Sequence, residues 1–240
     1  MSISKDKFIK IIFCFILFAG IIIPVWPQDM QERLQGQKKI IYKVSFNGIP
    51  SGYIEWEYLG KEKIQGKEVD VLSVSSDTKI LKLLNLTSKE QVFLDSKTYL
   101  PLRVERDLIL FGQKELIEEI YDQEKGCVNI KRSNSKVQED TLRQDKPIHN
   151  ILELLYFFPL GIELDSSKWM NFNLPNQKVR IKLVDQRDLD TGKGIVSTYF
   201  LVGRGAKRFS LWLDEESRLP LRLEFILPLG KIIILRTDSN

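Results

Sequence analysis

One stretch of this sequence occurs twice, and the repeat constrains the fold more than any other feature of the chain. The first copy, FLDSKTYLPLRVE, covers residues 93–105, and the second, WLDEESRLPLRLE, covers residues 212–224. Seven of the 13 aligned positions are identical. An aspartate can accept N–H bonds within a turn, and proline suits the start of a strand. Each copy therefore predicts a β-hairpin in which a short polar loop joins two strands.

The outgoing strand of each hairpin alternates apolar and charged residues. In the first copy Leu102 and Val104 are predicted to share one face, and Arg103 and Glu105 the other. The second copy repeats this order with Leu221, Arg222, Leu223 and Glu224. Each Arg–Glu pair predicts an exposed ion pair, an interaction that contributes only about 0–1 kcal/mol. Twin anion sites built on the two arginines are the alternative, and we favour the repeated hairpins.

Most of the remaining chain has the period of two that is typical of β-strands. We predict strands at residues 40–46, 54–58, 67–75, 90–94, 100–110, 115–121, 127–132, 178–185, 195–202, 209–213, 219–227 and 231–236. There is no alternation of strands with helices, so a parallel sheet is disfavoured. The predicted fold is mainly β: a curved antiparallel sheet or incomplete β-barrel of about a dozen strands with one or two short covering helices. We predict a single domain over residues 39–240, with the related hairpin units around 92–106 and 211–225.

Two segments have helical spacing instead. Residues 79–86 predict one short helix, and residues 145–158 a stronger one, with Asp145 as its cap and Pro147 in its first turn. The stronger segment is apolar almost all round, so we expect it to be buried against the concave face of the sheet. We favour a helix that closes the core. A gate over a ligand cavity is the alternative.

The N-terminus has the organisation of a secretory signal peptide. Lys5, Lys7 and Lys10 precede an uninterrupted apolar run over residues 11–23, which is short for a permanent membrane anchor. We predict a signal peptide at residues 1–28, a linker at 29–38, and export to the periplasm or cell envelope. No A-x-A site precedes residue 29, so an anchor that stays uncleaved is the alternative.

Composition and motifs argue against catalysis and against nucleic acid. Without residues 1–28 the formal net charge falls from +4 to +2, which gives no electrostatic case for nucleic-acid binding. The chain has one histidine, His149, for which we expect a capping or surface role. Glu118 and Glu119 are adjacent on a predicted strand and so point to opposite faces. We predict a protein that is not an enzyme and has no cofactor and no metal.

The hairpin motif resembles known exported proteins. The two [FW]-L-D-x-x-[ST]-x-L-P-L-R-x-E units, the strand and turn over 42–52 and the predicted helix near 148–158 resemble an exported bacterial family known as domain of unknown function 3108. That resemblance covers residues 39–240. The D-x-x-x-x-L-P hairpin is also similar to that of envelope proteins of the LolA, LolB and RseB type, which carry or sense lipoproteins. The second resemblance implies an incomplete barrel whose apolar concave face is covered by helices, and it brings no catalytic residues.

Two functions follow for such a barrel. The first is binding of a lipid, acyl chain or lipoprotein in the apolar concave face, with peripheral membrane association. Its candidate residues are Trp56, Leu102, Val104, Leu152, Leu155, Phe158, Leu221 and Leu223. The second is a structural or protein-interaction module with a self-filled core, which meets an envelope protein partner through a sheet edge or a Lys-rich rim.

Overall fold

A computed structural model describes residues 39–64, 66–80, 84–156 and 164–237, and these residues form one antiparallel sheet. Its fourteen strands are β1 Lys39–Phe46, β2 Ile49–Ile64, β3 Lys67–Ile80, β4 Leu84–Asp95, β5 Pro101–Leu110, β6 Gln113–Asp122, β7 Cys127–Ser133, β8 Val137–Arg143, β9 Met170–Leu174, β10 Gln177–Asp190, β11 Ile195–Arg204, β12 Arg208–Asp214, β13 Pro220–Leu227 and β14 Gly230–Thr237. A helix, α1, spans Ile151–Tyr156. The predicted fold class is confirmed.

The sheet is built from two similar halves. Its strand order is β8-β7-β6-β5-β4-β3-β2-β1-β14-β13-β12-β11-β10-β9. Strands β1–β6 form one meander and β9–β14 another, and the two meet where β1 pairs with β14. Corresponding hairpins have connections of equal length, with five residues in β4–β5 and β12–β13 and two in β5–β6 and β13–β14. The repeat in the sequence therefore marks a duplicated six-stranded meander.

The inward side chains of both halves form one hydrophobic core, and α1 packs within it. Leu152, Leu154, Leu155 and Tyr156 of the helix all belong to this core. The Tyr156 ring lies 5.8 Å from the Trp56 ring, measured between centroids, and Trp56 lies 5.1 Å from Tyr42. The helix thus occupies the concave side of the sheet, as a core-closing helix would.

Strands β8 and β9 are the two edges of the sheet. Within the described ranges they do not pair with each other, so the sheet is not closed into a barrel. The segment that follows β8 covers the β9 edge instead. Ile148 forms a parallel bridge with Asn173, and the His149 N–H donates to the Asn173 carbonyl at 2.9 Å. Gln123, in the β6–β7 turn, donates to the Ile148 carbonyl at 2.7 Å. This segment therefore fixes the chain that leads into α1 between the two edges.

Both helix predictions need correction. The helix predicted over 145–158 begins only at Ile151, because the preceding residues use their backbone groups to pair with β9 and Asn150 supplies the cap. The helix predicted over 79–86 is wrong, because Lys79 pairs with Asn85 in the β3–β4 ladder. A helix that short gains little on its own, whereas the ladder satisfies the same backbone groups.

Strands β8 and β9 were not expected from the sequence. Six of the seven side chains of β8 are exposed, so the strand lacks the apolar alternation that marks its neighbours. Strand β9 has only five residues. Within the described ranges, no helix is long and apolar enough to cross a membrane. The predicted signal peptide and linker, residues 1–38, lie outside the described residues.

The two repeated turns have the same hydrogen bonds. Asp95 Oδ1 accepts the Thr98 N–H at 2.9 Å, and Asp214 Oδ1 accepts the Ser217 N–H at 2.6 Å. The residue after each of these, Tyr99 or Arg218, has a positive φ of 54° or 60°. The predicted role of the two aspartates is confirmed.

A β-bulge after each proline changes the faces of the outgoing strands. Arg103 lies opposite Phe93 and Pro101 opposite Leu94, so Leu102 is the extra residue. Val104 is in the main core, whereas Leu102 packs on a second cluster that contains Phe93, on the other face of the sheet. The expectation that Leu102 and Val104 share a face is therefore wrong. A bulge at Leu221 has the same effect, since Leu223 belongs to the main core and Leu221, although buried, does not.

Candidate functional site

The site of interest is a row of inward side chains that crosses the middle of each half. In the first half the paired residues along this row are Val74, Glu90, Arg106 and Ile117. In the second half the equivalent positions hold Gly203, Phe209, Phe225 and Ile232. The first half therefore has a charged pair where the second half has two phenylalanines.

The charged side chains of the first half form a buried cluster with close contacts. Arg106 Nε donates to Glu90 Oε2 at 2.5 Å, and Arg106 Nη1 lies 3.6 Å from Glu119 Oε1. The Tyr121 hydroxyl donates to Glu119 Oε2 at 2.7 Å. All three charged side chains are less than 7% exposed. We call Glu90, Arg106, Glu119 and Tyr121 the interior polar cluster.

Burial and charge fix the protonation of two members of this cluster. Burial lowers the pKa of the Arg106 guanidinium, but the charges of Glu90 and Glu119 outweigh it and raise that pKa above its ordinary value. Burial, together with the charge of Glu119, raises the pKa of the Tyr121 hydroxyl well above its usual range. Arg106 is therefore a permanent cation and Tyr121 a permanent hydrogen-bond donor.

The interior polar cluster continues into the start of α1. Asn150 Nδ2 lies 3.5 Å from the Tyr121 hydroxyl. Asn150 Oδ1 accepts the Leu152 N–H at 2.8 Å, and Glu153 Oε2 accepts the Asn150 N–H at 3.3 Å. These reciprocal bonds form a capping box. His149 Nδ1 lies 2.9 Å from Glu153 Oε2, so of the two roles expected for the histidine the capping role is confirmed and the surface role is wrong.

The second half shows that this fold does not require charge at the centre of the row. Phe209 and Phe225 face each other with ring centroids 6.0 Å apart. Gly203 leaves the space for this pair, because a Cβ there would lie 1.9 Å from the Phe209 ring. Replacing a buried ion pair with well-packed apolar side chains is often neutral or stabilising. The charges of the first half are therefore candidates for a function other than stability.

Not all of the ligand-binding residues predicted from the sequence lie together. Trp56, Val104, Leu152, Leu155 and Leu223 belong to the one interior core. Leu102 and Leu221 do not, for the reason given by the bulges. Phe158 lies outside the described residues. The interior candidates lie on the same side of the sheet as Arg106, and Trp56 is paired directly with Val74 of the charged row.

The interior polar cluster was missed in the sequence, although it leaves a signal there. Glu90, Arg106 and Glu119 each stand at a position where the alternation of their strand calls for an apolar residue. The 119-residue offset of the repeat also aligns Glu90 with Phe209 and Arg106 with Phe225. Charged residues at the inward-facing positions of three successive strands predict a polar site inside the sheet. The capping box was legible as Asn150 followed three residues later by Glu153.

The chemistry available to the interior polar cluster is recognition by charge and hydrogen bonds. In the described part of the chain, no group of His, Cys, Asp and Glu side chains could hold a metal ion. Glu90 Oε1, Arg106 Nη2 and His149 Nε2 are buried and have no hydrogen-bond partner among the described residues. One guanidinium thus lies between two carboxyl groups, and the oxygens of those groups are the acceptors that the cluster offers.

The molecule thus belongs to the class of unclosed, barrel-like antiparallel β-proteins with a polar group inside. It is similar to the crystal structure of a β-barrel-like protein of domain of unknown function DUF1849 from Brucella abortus, with a TM-score of 0.56. The two sequences are 9% identical, and the match covers 83% of this chain and 95% of that chain. At this identity the likeness shows the fold alone. No model of a known protein family matches the chain, and neither does any curated protein.

Proposed function

We propose that this is a non-enzymatic exported protein of the cell envelope that takes the acyl chain of a lipid or lipoprotein into its interior when α1 moves away from the sheet. The more specific resemblances, to domain of unknown function 3108 and to the LolA, LolB and RseB type, agree with such a role. The observation that carries the proposal is the placement of the interior polar cluster at the start of α1.

The packing of α1 explains why an acyl chain suits this interior. The helix covers the wall with apolar side chains of Leu152, Leu155 and Tyr156. If it left without replacement, the wall would be exposed to water at a cost of about 25 cal/mol for each Å² of apolar surface. A hydrocarbon chain in the same place would remove that cost.

The polar contacts at the start of α1 give the exchange a control point. The cap bonds of Asn150 and its contact with Tyr121 join the helix to the wall through groups that a polar ligand can compete for. Because two carboxyl groups and one guanidinium line this point, a head group that donates hydrogen bonds is favoured over a carboxylate.

The test uses the uncharged fluorescent probe 1-N-phenylnaphthylamine, whose emission rises in apolar surroundings. The wild-type protein should bind the probe with a saturable rise in emission. Asn150→Ala removes the cap, which stabilises a helix by about 1 kcal/mol, so probe entry should be about fivefold faster. Asn134→Ala is the matched control, because Asn134 makes a similar bond to the Lys136 N–H in a distant turn.

Faster entry in Asn150→Ala alone supports a movable helix. Absence of any saturable emission with folded wild-type protein contradicts the proposal. Equal entry rates in both variants would show that α1 is a fixed part of the core.

A second candidate function is a protein-interaction module, which the exposed edge at β8 favours. Strand β8 pairs with β7 on one side, and no strand of the described ranges pairs with its other side. An extended segment of a partner could add to this edge. Gln138→Pro and Glu139→Pro test it, because successive N–H groups of a strand point to opposite sides and only one variant disturbs the free edge. If only the variant that disturbs the free edge lost its binding to a protein partner, and both variants still bound the probe normally, the result would favour this function.

A further inference from the structure

The two ends of the barrel differ in the chemistry of their hairpin turns. Because neighbouring strands are antiparallel, alternate turns lie at the same end. We define the upper rim as the turns at 47–48, 111–112, 134–136, 175–176, 205–207 and 228–229. We define the lower rim as the turns at 96–100, 123–126, 191–194 and 215–219. The Asn47 N–H donates to the Lys231 carbonyl at 2.8 Å, which joins two neighbouring parts of the upper rim.

Carboxylates organise the lower rim. Each of its four turns follows an aspartate whose Oδ1 accepts an N–H of the turn; these are Asp95, Asp122, Asp190 and Asp214. The 215–219 turn adds Glu215 and Glu216. The same turns also contain Lys97, Lys125, Lys193 and Arg218, so the lower rim carries charges of both signs.

The upper rim has no carboxylate in any of its described turns. Its turns use glycine, asparagine and proline, as in Asn47-Gly48 and Pro228-Leu229. The charges in and beside these turns are largely positive, and Lys136, Lys207 and Arg208 have no ion pair within the described residues. On the wall just below, Arg180 and Arg204 lie 5.4 and 5.0 Å from the Trp169 ring.

Large apolar side chains also project from the upper rim. Phe111 and Leu229 stand in two of its turns with 50% and 52% of their surface exposed. Ile49 directly follows the turn at 47–48, and Val137 directly follows the turn at 134–136. Both side chains are exposed to a similar degree. On the lower rim, the exposed large apolar residue beside a turn is Ile195. The described turns of the upper rim thus combine exposed apolar side chains with cations alone, whereas the turns of the lower rim combine carboxylates with cations.

We propose that the upper rim docks on an anionic lipid bilayer. Apolar tips of this size can enter the interface between head groups and acyl chains, while lysine and arginine beside them attract anionic head groups. Trp169 between two arginines adds a side chain of the type found at membrane interfaces. The upper rim is favoured over the lower rim because its described turns contain no carboxylate to repel anionic head groups. The barrel axis then lies along the membrane normal. This inference does not depend on lipid entry into the interior.

The test measures sedimentation of the full chain with vesicles of phosphatidylglycerol and phosphatidylcholine in equal parts, and with phosphatidylcholine alone. Phe111→Ser with Leu229→Ser should lower the partition coefficient about tenfold or more, because each buried side chain of this size contributes that much. Ile195→Ser with Val184→Ser is the control, since both residues are exposed away from the upper rim. Every variant keeps residues 1–38, so their contribution is constant.

Charge is tested in the same way. Lys207→Glu with Arg208→Glu should remove the preference for phosphatidylglycerol, at about fivefold for each lost cation. Lys63→Glu with Lys97→Glu makes the same change in net charge near the lower turns and should leave the preference intact. The proposal is overturned if the upper-rim and control variants lose vesicle binding equally, or if neither of them loses it. Hydrogen exchange of wild-type protein gives a second measurement, with protection by vesicles expected at 205–207 and 228–229 but not at 191–194.

Discussion

At the scale of single residues, Arg103 and Arg106 show how the two faces of one strand differ. Both arginines contact two glutamates, Arg103 with 38% of its side chain exposed and Arg106 with 3%. Water screens the charges around Arg103, whereas the carboxylates around Arg106 depend on it for compensation. The same residue type therefore has different importance at positions three residues apart.

This difference predicts unequal losses of stability. Arg106→Met leaves Glu90 and Glu119 uncompensated inside the barrel and should lower the free energy of unfolding by about 3–5 kcal/mol. Arg103→Met should lower it by about 0–1 kcal/mol. Urea unfolding of both variants measures this difference. Losses of similar size would mean that the interior polar cluster is more hydrated than its burial indicates.

Asp95 gives a prediction about pH. Burial raises the pKa of its carboxyl, but the N–H groups of Thr98 and Lys97 outweigh this and hold that pKa below 3.8. Because the pKa is lower in the folded state, the carboxylate stabilises the fold fully above pH 3.8, and this contribution is lost as the pH falls through the folded pKa. Asp95→Asn should therefore be less stable than wild type at pH 7, by an amount that shrinks toward pH 2. A constant difference in urea unfolding across this range would contradict the role of the carboxylate.

At the scale of elements, the sequence predicted most strands and the repeated hairpins, because period-two alternation and Asp-to-Leu-Pro turns are local signals. It could not predict the faces of Leu102 and Leu221, because a bulge becomes visible only when two strands are aligned. It missed β8, whose pairing with β7 stabilises a strand without an apolar face. It placed the start of α1 too early, because the competing partner of residues 145–149 is β9, which is distant in the sequence.

Because the two rows occupy equivalent positions, we predict that the residues of the second row can replace those of the first. The variant V74G/E90F/R106F/E119I gives the first half the residues found in the second, where Ile234 stands at the position of Glu119. It should fold with equal or higher stability, by up to about 4 kcal/mol, since well-packed apolar groups replace a buried charge cluster. R106F alone is the control and should be strongly destabilised. A fourfold variant that fails to fold would show that the first half needs its charges for structure.

At the scale of the whole molecule, duplication explains the architecture and the difference between the halves explains the site. Two copies of one meander, joined at β1 and β14, leave β7, β8 and α1 as the segment between the copies. The sequence predicted the curved antiparallel fold and five of its eight candidate residues in the interior core. It did not predict the interior polar cluster, because its members come from three strands and are identified only when their register is known.

Whether the interior holds a lipid is best measured by mass spectrometry of an organic-solvent extract of the protein, exported to a bacterial periplasm and purified without detergent. We expect a phospholipid or acylated peptide in a stoichiometric amount from wild type, and much less from V74G/E90F/R106F/E119I. An empty extract from folded wild-type protein, repeated after incubation with envelope lipids, would contradict this expectation and would leave the apolar interior as a self-filled core.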